Sequence, residues 1–276
     1  MAREKWQIGL DIQPHAYYAV AVVRRRGEWQ LRGCWHQPLA GTAPLSGGLP
    51  SPDIQKETLR RWRGGLPRQF SLRLALPAAR VLQRTLPSPA PQLQEPHREA
   101  FLLAHAARLF PLDRDALVFD YRTAPGQPDQ VLVTAAHRQE LAAWLALLQA
   151  AGLYPDAVDI SPCALHYIGA LSGVPADALM LHHLRQGWVW VSPRHRPFQS
   201  GMADAAENAG DVLAALPAPL RALPCFFSSE QTEPNPDGMQ GWTPFASLPG
   251  ACPTEGAPPG AFALAAGLAV RPEDHE

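Results

Sequence analysis

The chain has 276 residues, with 24 Lys plus Arg against 25 Asp plus Glu, and a formal charge of −1. That balance offers no global electrostatic case for a nucleic-acid binder or a polybasic membrane binder. Hydrophobic residues at 46% suffice for a core, and 18% charged residues do not describe a disordered chain. Thirty prolines point to many loops and short elements rather than long helices. No apolar run approaches the ~18 residues of a membrane-spanning helix. The apolar stretch Ile8 to Leu10 stops at Asp11, too short for a signal peptide. Cys34, Cys163, Cys225 and Cys252 are scattered without a C-x-x-C, so they are expected to be reduced and mostly packed, in a cytoplasmic protein.

In chain order, residues 6–12, 16–23 and 28–36 read as three strands of an antiparallel meander. Gln13-Pro14-His15 joins the first two and Arg24-Arg25-Arg26-Gly27 the last two. A Gly/Pro/Ser-rich loop covers 39–52. A helix begins near Ser51, Pro52 and Asp53 and ends at Gly64-Gly65, followed by a strand over 70–76. Residues 77–136 read as an insertion with a βαββ pattern. Its parts are a strand over 81–86, a helix from Pro96 to about Phe110, and strands over 116–121 and 130–136. Phe101, Leu102, Leu109 and Phe110 are expected on the buried face of that helix. Leu141, Trp144, Leu145 and Leu148 fall at i, i+3, i+4 and i+7 of the next helix, which Gly152 ends.

A strand over 154–160 and a helix from Ser161-Pro162 follow. Strands over 178–184, 188–192 and 197–201, a helix over 204–216, a strand over 225–228 and a helix over 260–270 complete the chain. The Pro/Gly-rich stretch 230–259 is expected to be poorly packed. A three-strand meander plus helix thus occurs twice. That is the ground plan of an actin-like, ribonuclease-H-like α/β fold with two lobes. The expected division is a discontinuous core of 1–76 with 137–276, interrupted by the 77–136 subdomain.

Several candidate sites carry little chemistry. His182 and His183 point to opposite faces of one strand, so with His195 they read as ordinary strand and turn histidines rather than metal ligands. Cys163 and His166 are spaced i, i+3, but a packed core thiol is the simpler reading. No G-x-S-x-G elbow exists. Arg24-Arg25-Arg26, Arg60-Arg61 and Arg63 read as a solvated turn and helix face; phospholipid contact fits them better than DNA. Trp188 and Trp190 share one strand face and read as core.

Trp6-Gln7-Ile8-Gly9-Leu10, Leu74-Ala75-Leu76-Pro77-Ala78, and Val81 to Pro87 with Gln83-Arg84-Thr85 form one set of segments. Phe119-Asp120-Tyr121, Val133-Thr134-Ala135-Ala136 and Leu148 to Asp159 continue it, and Phe262-Ala263-Leu264-Ala265-Ala266-Gly267-Leu268-Ala269 ends it. Together these segments resemble the PilM family of type IV pilus assembly, and most closely its enterobacterial HofM branch, named for DNA utilisation. The resemblance implies a cytoplasmic scaffold, peripheral to the inner membrane through a partner. That partner is the tail of a PilN-type (HofN-like) bitopic protein, held in a groove between core and insertion. The groove residues are not legible at this stage; self-association is compatible with the likeness, and nucleic-acid binding is not expected.

The family's nucleotide site is degraded here. Its Asp-Ile-Gly-Ser-Ser-Ser-type turn reads Asp11-Ile12-Gln13-Pro14-His15-Ala16, where Pro14 lacks an N–H and no Ser or Thr remains. The second turn reads Leu181-His182-His183-Leu184, without a carboxylate. The turn expected beneath adenine reads Ser228-Ser229-Glu230, without glycine. Asp11 remains either as a cofactor contact or as a polar residue closing a hairpin. The expectation is a non-enzyme with no cofactor, although ATP and Mg belong to the family. The alternatives are a nucleotide-dependent assembly protein of the same fold and a DNA-binding component of uptake.

Overall fold

The first strand is central because it is apolar on both faces: Ile8, Leu10 and Ile12 are buried on one side, while Gly9 and Asp11 are covered on the other. It belongs to a computed structural model that describes residues 5–39, 52–110, 113–124, 127–250, 252 and 256–273. The elements in chain order begin with β1 (Trp6–Ile12), β2 (Ala16–Arg25), β3 (Glu28–Pro38), α1 (Pro52–Gly64) and β4 (Phe70–Leu76). Then come β5 (Val81–Pro87), α2 (His97–Ala106), β6 (Leu117–Ala124), β7 (Gln127–His137), α3 (Arg138–Ala150), β8 (Ala157–Ile160) and α4 (Ser161–Leu171). The chain closes with β9 (Leu179–His183), β10 (Trp188–Val191), β11 (Ser200–Ala203), α5 (Ala209–Ala215), α6 (Ala218–Arg221), β12 (Cys225–Ser229), β13 (Gln240–Gly241) and α7 (Ala263–Ala269).

Two five-stranded sheets repeat one topology. The first runs β3-β2-β1-β4-β8 and the second β11-β10-β9-β12-β13. In each, a three-strand antiparallel meander is extended by two parallel strands. This duplication is the actin-like fold. A separate antiparallel sheet, β5-β7-β6, lies between β4 and α3 in the chain. The β2–β3 turn uses Arg26 at φ 51° and Gly27 at φ 88°, the paired left-handed geometry that fits strand twist.

The helix α7 joins the layers. All seven of its residues are buried, and all are Ala, Leu or Gly. A Cβ on Gly9 of β1 would stand 2.0 Å from the Ala265 carbonyl oxygen, and one on Gly267 would stand 1.9 Å from that of Ala164 in α4. The small residues therefore bring backbones into direct contact. Buried Arg73 of β4 donates from Nη1 to the Ala269 carbonyl at 3.1 Å, satisfying the C-terminal end of α7.

The structure corrects several expectations. In α2, Leu102 and Ala106 face the sheet, with Phe110 buried beyond the helix, but Phe101 and Leu109 are 43% exposed. The helix phase follows the i, i+4 pair, and Phe101 instead packs its ring on His105 at 4.1 Å. The 230–259 stretch is anchored: Leu248 is buried, Trp242 and Phe245 pack beside α7, and Leu31 N–H donates to Pro249 O at 3.1 Å. Among its described residues, the prolines and glycines limit regular strand to the two residues of β13, not burial. Cys34 and Cys252 are joined in a disulfide with Cα atoms 5.6 Å apart, against the expectation of four reduced thiols. The pairing escapes a local reading because 218 residues separate the two. The eleventh strand begins at Ser200 rather than 197, and α5 begins after an Asn208–Asp211 capping box rather than at 204. Most of the 39–52 loop, with Ser51, lies outside the described residues.

The contacts of α7 predict a sharp contrast between glycines. Gly267→Ala and Gly9→Ala each lose about 3 kcal/mol or more, because backbone must move to admit a methyl group. Gly64→Ala, with open space around its Cβ, stays neutral or gains up to about 1 kcal/mol. Urea denaturation of the three variants checks both signs.

Candidate functional site

The ends of β1, β9 and β12 converge on a buried polar cluster. The tight turn after β1 is closed by Gln13 N–H to Ala16 O at 2.9 Å. It folds the Gln13 side chain back, so that Nε2 donates to both carboxylate oxygens of Asp11 at 3.0 Å. His15 then points across to Glu230, Nε2 to Oε2 3.6 Å, and shares a hydrogen bond with Tyr18 Oη at 3.3 Å. Glu230 is tied to the second lobe at two points. Its N–H donates to His183 O at 2.9 Å, and its Oε2 accepts from Arg185 N–H at 2.9 Å. The two turns and the end of β12, which are far apart in sequence, therefore meet through protein side chains.

Burial dominates the electrostatics. It pushes Asp11 up to about 7, against the Gln13 hydrogen bond, and Glu230 up to about 8, assisted by the nearby Asp11 carboxylate. His15 is pushed down to about 4 by burial, with Arg185 and His36 adding to the shift, so its imidazole is neutral at physiological pH. His182 is fully buried, pushed down to about 3, and shares a hydrogen bond with Ser228 Oγ at 2.8 Å. His183 goes elsewhere, to Glu233 at 2.6 Å and a stack on Trp188, and His195 Nδ1 contacts Ala176 O at 2.8 Å. The three histidines thus have separate partners. His166 contacts Ser192 O at 2.7 Å, while burial raises the Cys163 thiol well above its usual range, so the two do not form an activated pair. Trp188 is buried in the second lobe's core, with Trp190 packed beside it.

A second constellation forms where the β5-β7-β6 sheet meets the first lobe. A groove runs between β6 and β8, which are the edge strands of their sheets. Leu76, Val81, Val118, Phe119, Leu141, Val158 and Ile160 line its apolar walls. At its floor Asp159 accepts four hydrogen bonds. They come from Arg122 Nη2 at 3.0 Å, Arg271 Nε at 2.8 Å, Tyr167 Oη at 2.8 Å and its neighbour Ile160 N–H at 2.8 Å. Burial would raise this carboxyl, but Arg122 and Arg271 and the donated hydrogen bonds outweigh it and hold Asp159 below its usual range.

The type IV pilus assembly protein PilM family model matches residues 9–173. The chain belongs to the PilM family. Across 274 residues, and 98% of both chains, it is 32% identical to the DNA utilization protein HofM of Escherichia coli strain K12. Its fold is similar to a structure of the PilM-PilN type IV pilus biogenesis complex, with a TM-score of 0.70 at 18% identity over 96% of this chain and 99% of that one. It is also similar to the cytoplasmic domain of EpsL, an inner membrane component of the type II secretion system of Vibrio cholerae. The TM-score there is 0.56 at 14% identity, over 86% and 87% of the two chains.

Within this PilM-family fold, Asp11 sits at the mouth of the first turn, held by Gln13. The groove residues were beyond sequence reasoning: Arg122, Asp159 and Arg271 stand 37 and 112 residues apart across their two ion pairs. The only local hint to Asp159 was its place at the end of the segment Leu148 to Asp159, one of those that carry the family likeness.

Raised acid pKa values give a signed pH dependence. Folded Glu230 keeps a proton that the unfolded chain has already released between pH ~4.5 and ~8, so its burial costs more stability as pH rises through that window. Glu230→Gln removes this cost while keeping an acceptor for Arg185. At pH 4 the variant and parent should match within ~0.5 kcal/mol, and at pH 8.5 the variant should be more stable by roughly 4 kcal/mol. Chemical denaturation across that range is the measurement. A less stable variant at pH 8.5 would mean that Glu230 is held as a favourable carboxylate.

Proposed function

We propose that this PilM-family chain is a non-catalytic cytoplasmic scaffold of a type IV pilus or DNA-uptake assembly. It captures the cytoplasmic tail of a PilN-type inner-membrane protein in the groove between β6 and β8. The observation that carries the reading is the groove itself. Two edge strands face each other there across apolar walls, with a fixed Arg122–Asp159–Arg271 network below. An extended peptide suits such a place: edge strands offer main-chain groups, and the walls offer pockets for alternate side chains. The likeness to a PilM-PilN complex supports the kind of partner.

The cluster around Asp11 supports operation without nucleotide. A polyphosphate needs backbone N–H groups and cations at the turns. Pro14 supplies no N–H, Gln13 occupies both oxygens of Asp11, and the Glu230 side chain lies between the His15 and Arg185 turns. The two buried carboxyls, which hold their protons to near neutral pH, fill the space between the turns and offer a phosphate no cation. These residues do not fit ATP with its metal, and no step is assigned to it.

One observation favours a nucleotide-gated alternative. His15 Nδ1, Glu230 Oε1 and His182 Nε2 are buried without a hydrogen-bond partner among the described residues, so the cluster has unused capacity. Calorimetric titration separates the readings, using a synthetic peptide of the cytoplasmic N-terminus of a PilN-type protein. The scaffold reading expects micromolar binding without nucleotide, unchanged by Mg-ATP. Val118→Glu, placed on the groove wall, should weaken binding at least tenfold with little change in melting temperature. Micromolar affinity for Mg-ATP, or peptide binding only in its presence, would favour gating.

A further inference from the structure

Opposite the groove, the first sheet ends in a concentration of positive charge. The register brings this about. Gln7 pairs with Val22, and Trp6 with Phe70, so the β2–β3 turn, the start of β1 and the start of β4 stand side by side. Adjacent strands are ~4.8 Å apart, so Arg24, Arg25, Arg26, Lys5 and Arg68 leave the sheet within about 15 Å of one another at the backbone.

The last turns of α1 add to them. Arg60 Nη2 donates to Ala150 O at 3.0 Å and Arg63 Nε to Gly152 O at 3.2 Å, both at the C-terminal end of α3. The Arg63 guanidinium also lies 4.9 Å from the Phe70 ring. These ties fix Arg60, Arg61 and Arg63 beside the start of β4. Two arginine clusters that are separate in sequence therefore share one end of one sheet.

The charge there is unbalanced. Residues 5, 24–28, 57–69 and 151–156 carry eight basic side chains against three acidic ones, a local +5 on a chain of −1. Lys5, Arg26, Arg61 and Arg68 are exposed and make no hydrogen bond or ion pair among the described residues. Like charges gathered this closely repel one another, so the arrangement costs stability unless an anionic surface meets it. Aromatic groups stand among the cations. Tyr154 is 68% exposed beside Arg63 and Arg68, and Arg24 lies 5.5 Å from the Trp29 ring.

We propose that this end of the first lobe is a docking surface for an anionic phospholipid bilayer. The basic groups sit on a turn tip, strand starts and a helix end, which together offer several points to a plane. Each such group strengthens attachment to an anionic leaflet about fivefold, and exposed Tyr and half-buried Trp suit the headgroup layer. A nucleic-acid duplex is the weaker occupant. Arg60 and Arg63, on the helix of this patch, are tied back to the end of α3 rather than presented to a groove, and Tyr154 would have no task. The site does not depend on the groove reading, because it uses neither the peptide nor its walls.

The test is flotation of the full chain, without any partner peptide, with vesicles of equal parts phosphatidylglycerol and phosphatidylcholine at low and high salt. A triple variant, Arg26→Gln, Arg61→Gln and Arg68→Gln, removes three exposed cations that have no protein partner. The expected result is binding to the mixed vesicles, release at high salt, no binding to phosphatidylcholine alone, and roughly a hundredfold loss of partitioning in the variant. Equal binding to both vesicle types, no binding, or binding unaffected by the triple substitution would overturn the proposal. So would binding of the parent, lost in the variant, to random duplex DNA but not to vesicles. Peptide titration of the same variant should be unchanged, which separates this surface from the groove.

Discussion

The contact of α7 with the layers on either side is the constraint from which the two polar clusters follow. Backbone meets backbone at Gly9 against Ala265 and at Gly267 against Ala164, at distances where no side chain fits between. A helix with larger residues would stand farther off, because interaxial distance follows side-chain size. The close approach fixes β1 and α4 relative to one helix. Asp11 lies near the end of β1, Asp159 lies two residues before α4, and Arg271 lies two residues after α7. The carboxylates and their partners are thus attached to the three elements whose spacing the small residues set. Arg73 adds a polar tie to the same joint, from the neighbouring strand to the last carbonyl of α7.

Two buried carboxylates near the ends of adjacent parts of one fold meet opposite fates, and the reason is their neighbours. Asp159 has two guanidiniums, a phenol and a backbone N–H, one for each of its lone-pair positions, so its charge is favoured. Asp11 has a neutral amide and faces a second acid, so burial dominates and its proton is retained to near neutral pH. The first arrangement is a rigid, satisfied floor for a surface groove. The second is a neutral plug of protein groups between two turns, where charge is disfavoured. A fully connected polar network can hold geometry; one with unpartnered atoms mainly costs stability.

Much of the fold is legible from sequence because it is built from local signals. Short, largely apolar runs bounded by turn residues mark β1 and β2, Pro52 opens α1, and Gly152 at φ 77° closes the turn after α3. The duplicated meander follows from these, and with it the actin-like plan. The departure of residues 11–16 from the family's turn pattern is equally local, since Gln13 and Pro14 are read directly from the sequence. What fails to show is what depends on distant partners. The phase of α2 is set by the sheet beneath it, where Leu102 and Ala106 win over the equally apolar Phe101 and Leu109. The anchoring of Trp242, Phe245 and Leu248 depends on a surface made by β2, β3 and α7, so a Pro/Gly count misreads that stretch. Ion pairs to Asp159 and the joining of Cys34 with Cys252 have no short-range pattern at all.

The geometry also relates the two proposed surfaces. The basic end lies beside Phe70 and the groove beside Leu76, at opposite ends of β4. Seven residues at ~3.3 Å each place these ends about 20 Å apart. A tail rooted in a bilayer at the basic end would need at least six or seven extended residues before its first anchored side chain, given ~3.3–3.6 Å per residue. A shorter spacer could not reach the groove while the arginines remain at the headgroups. A much longer one would raise the chain entropy lost on closing the loop, though only slowly with length. Peptide and lipid would therefore reinforce one another through effective concentration, with no contact between their sites, and spacer length would set the size of that gain.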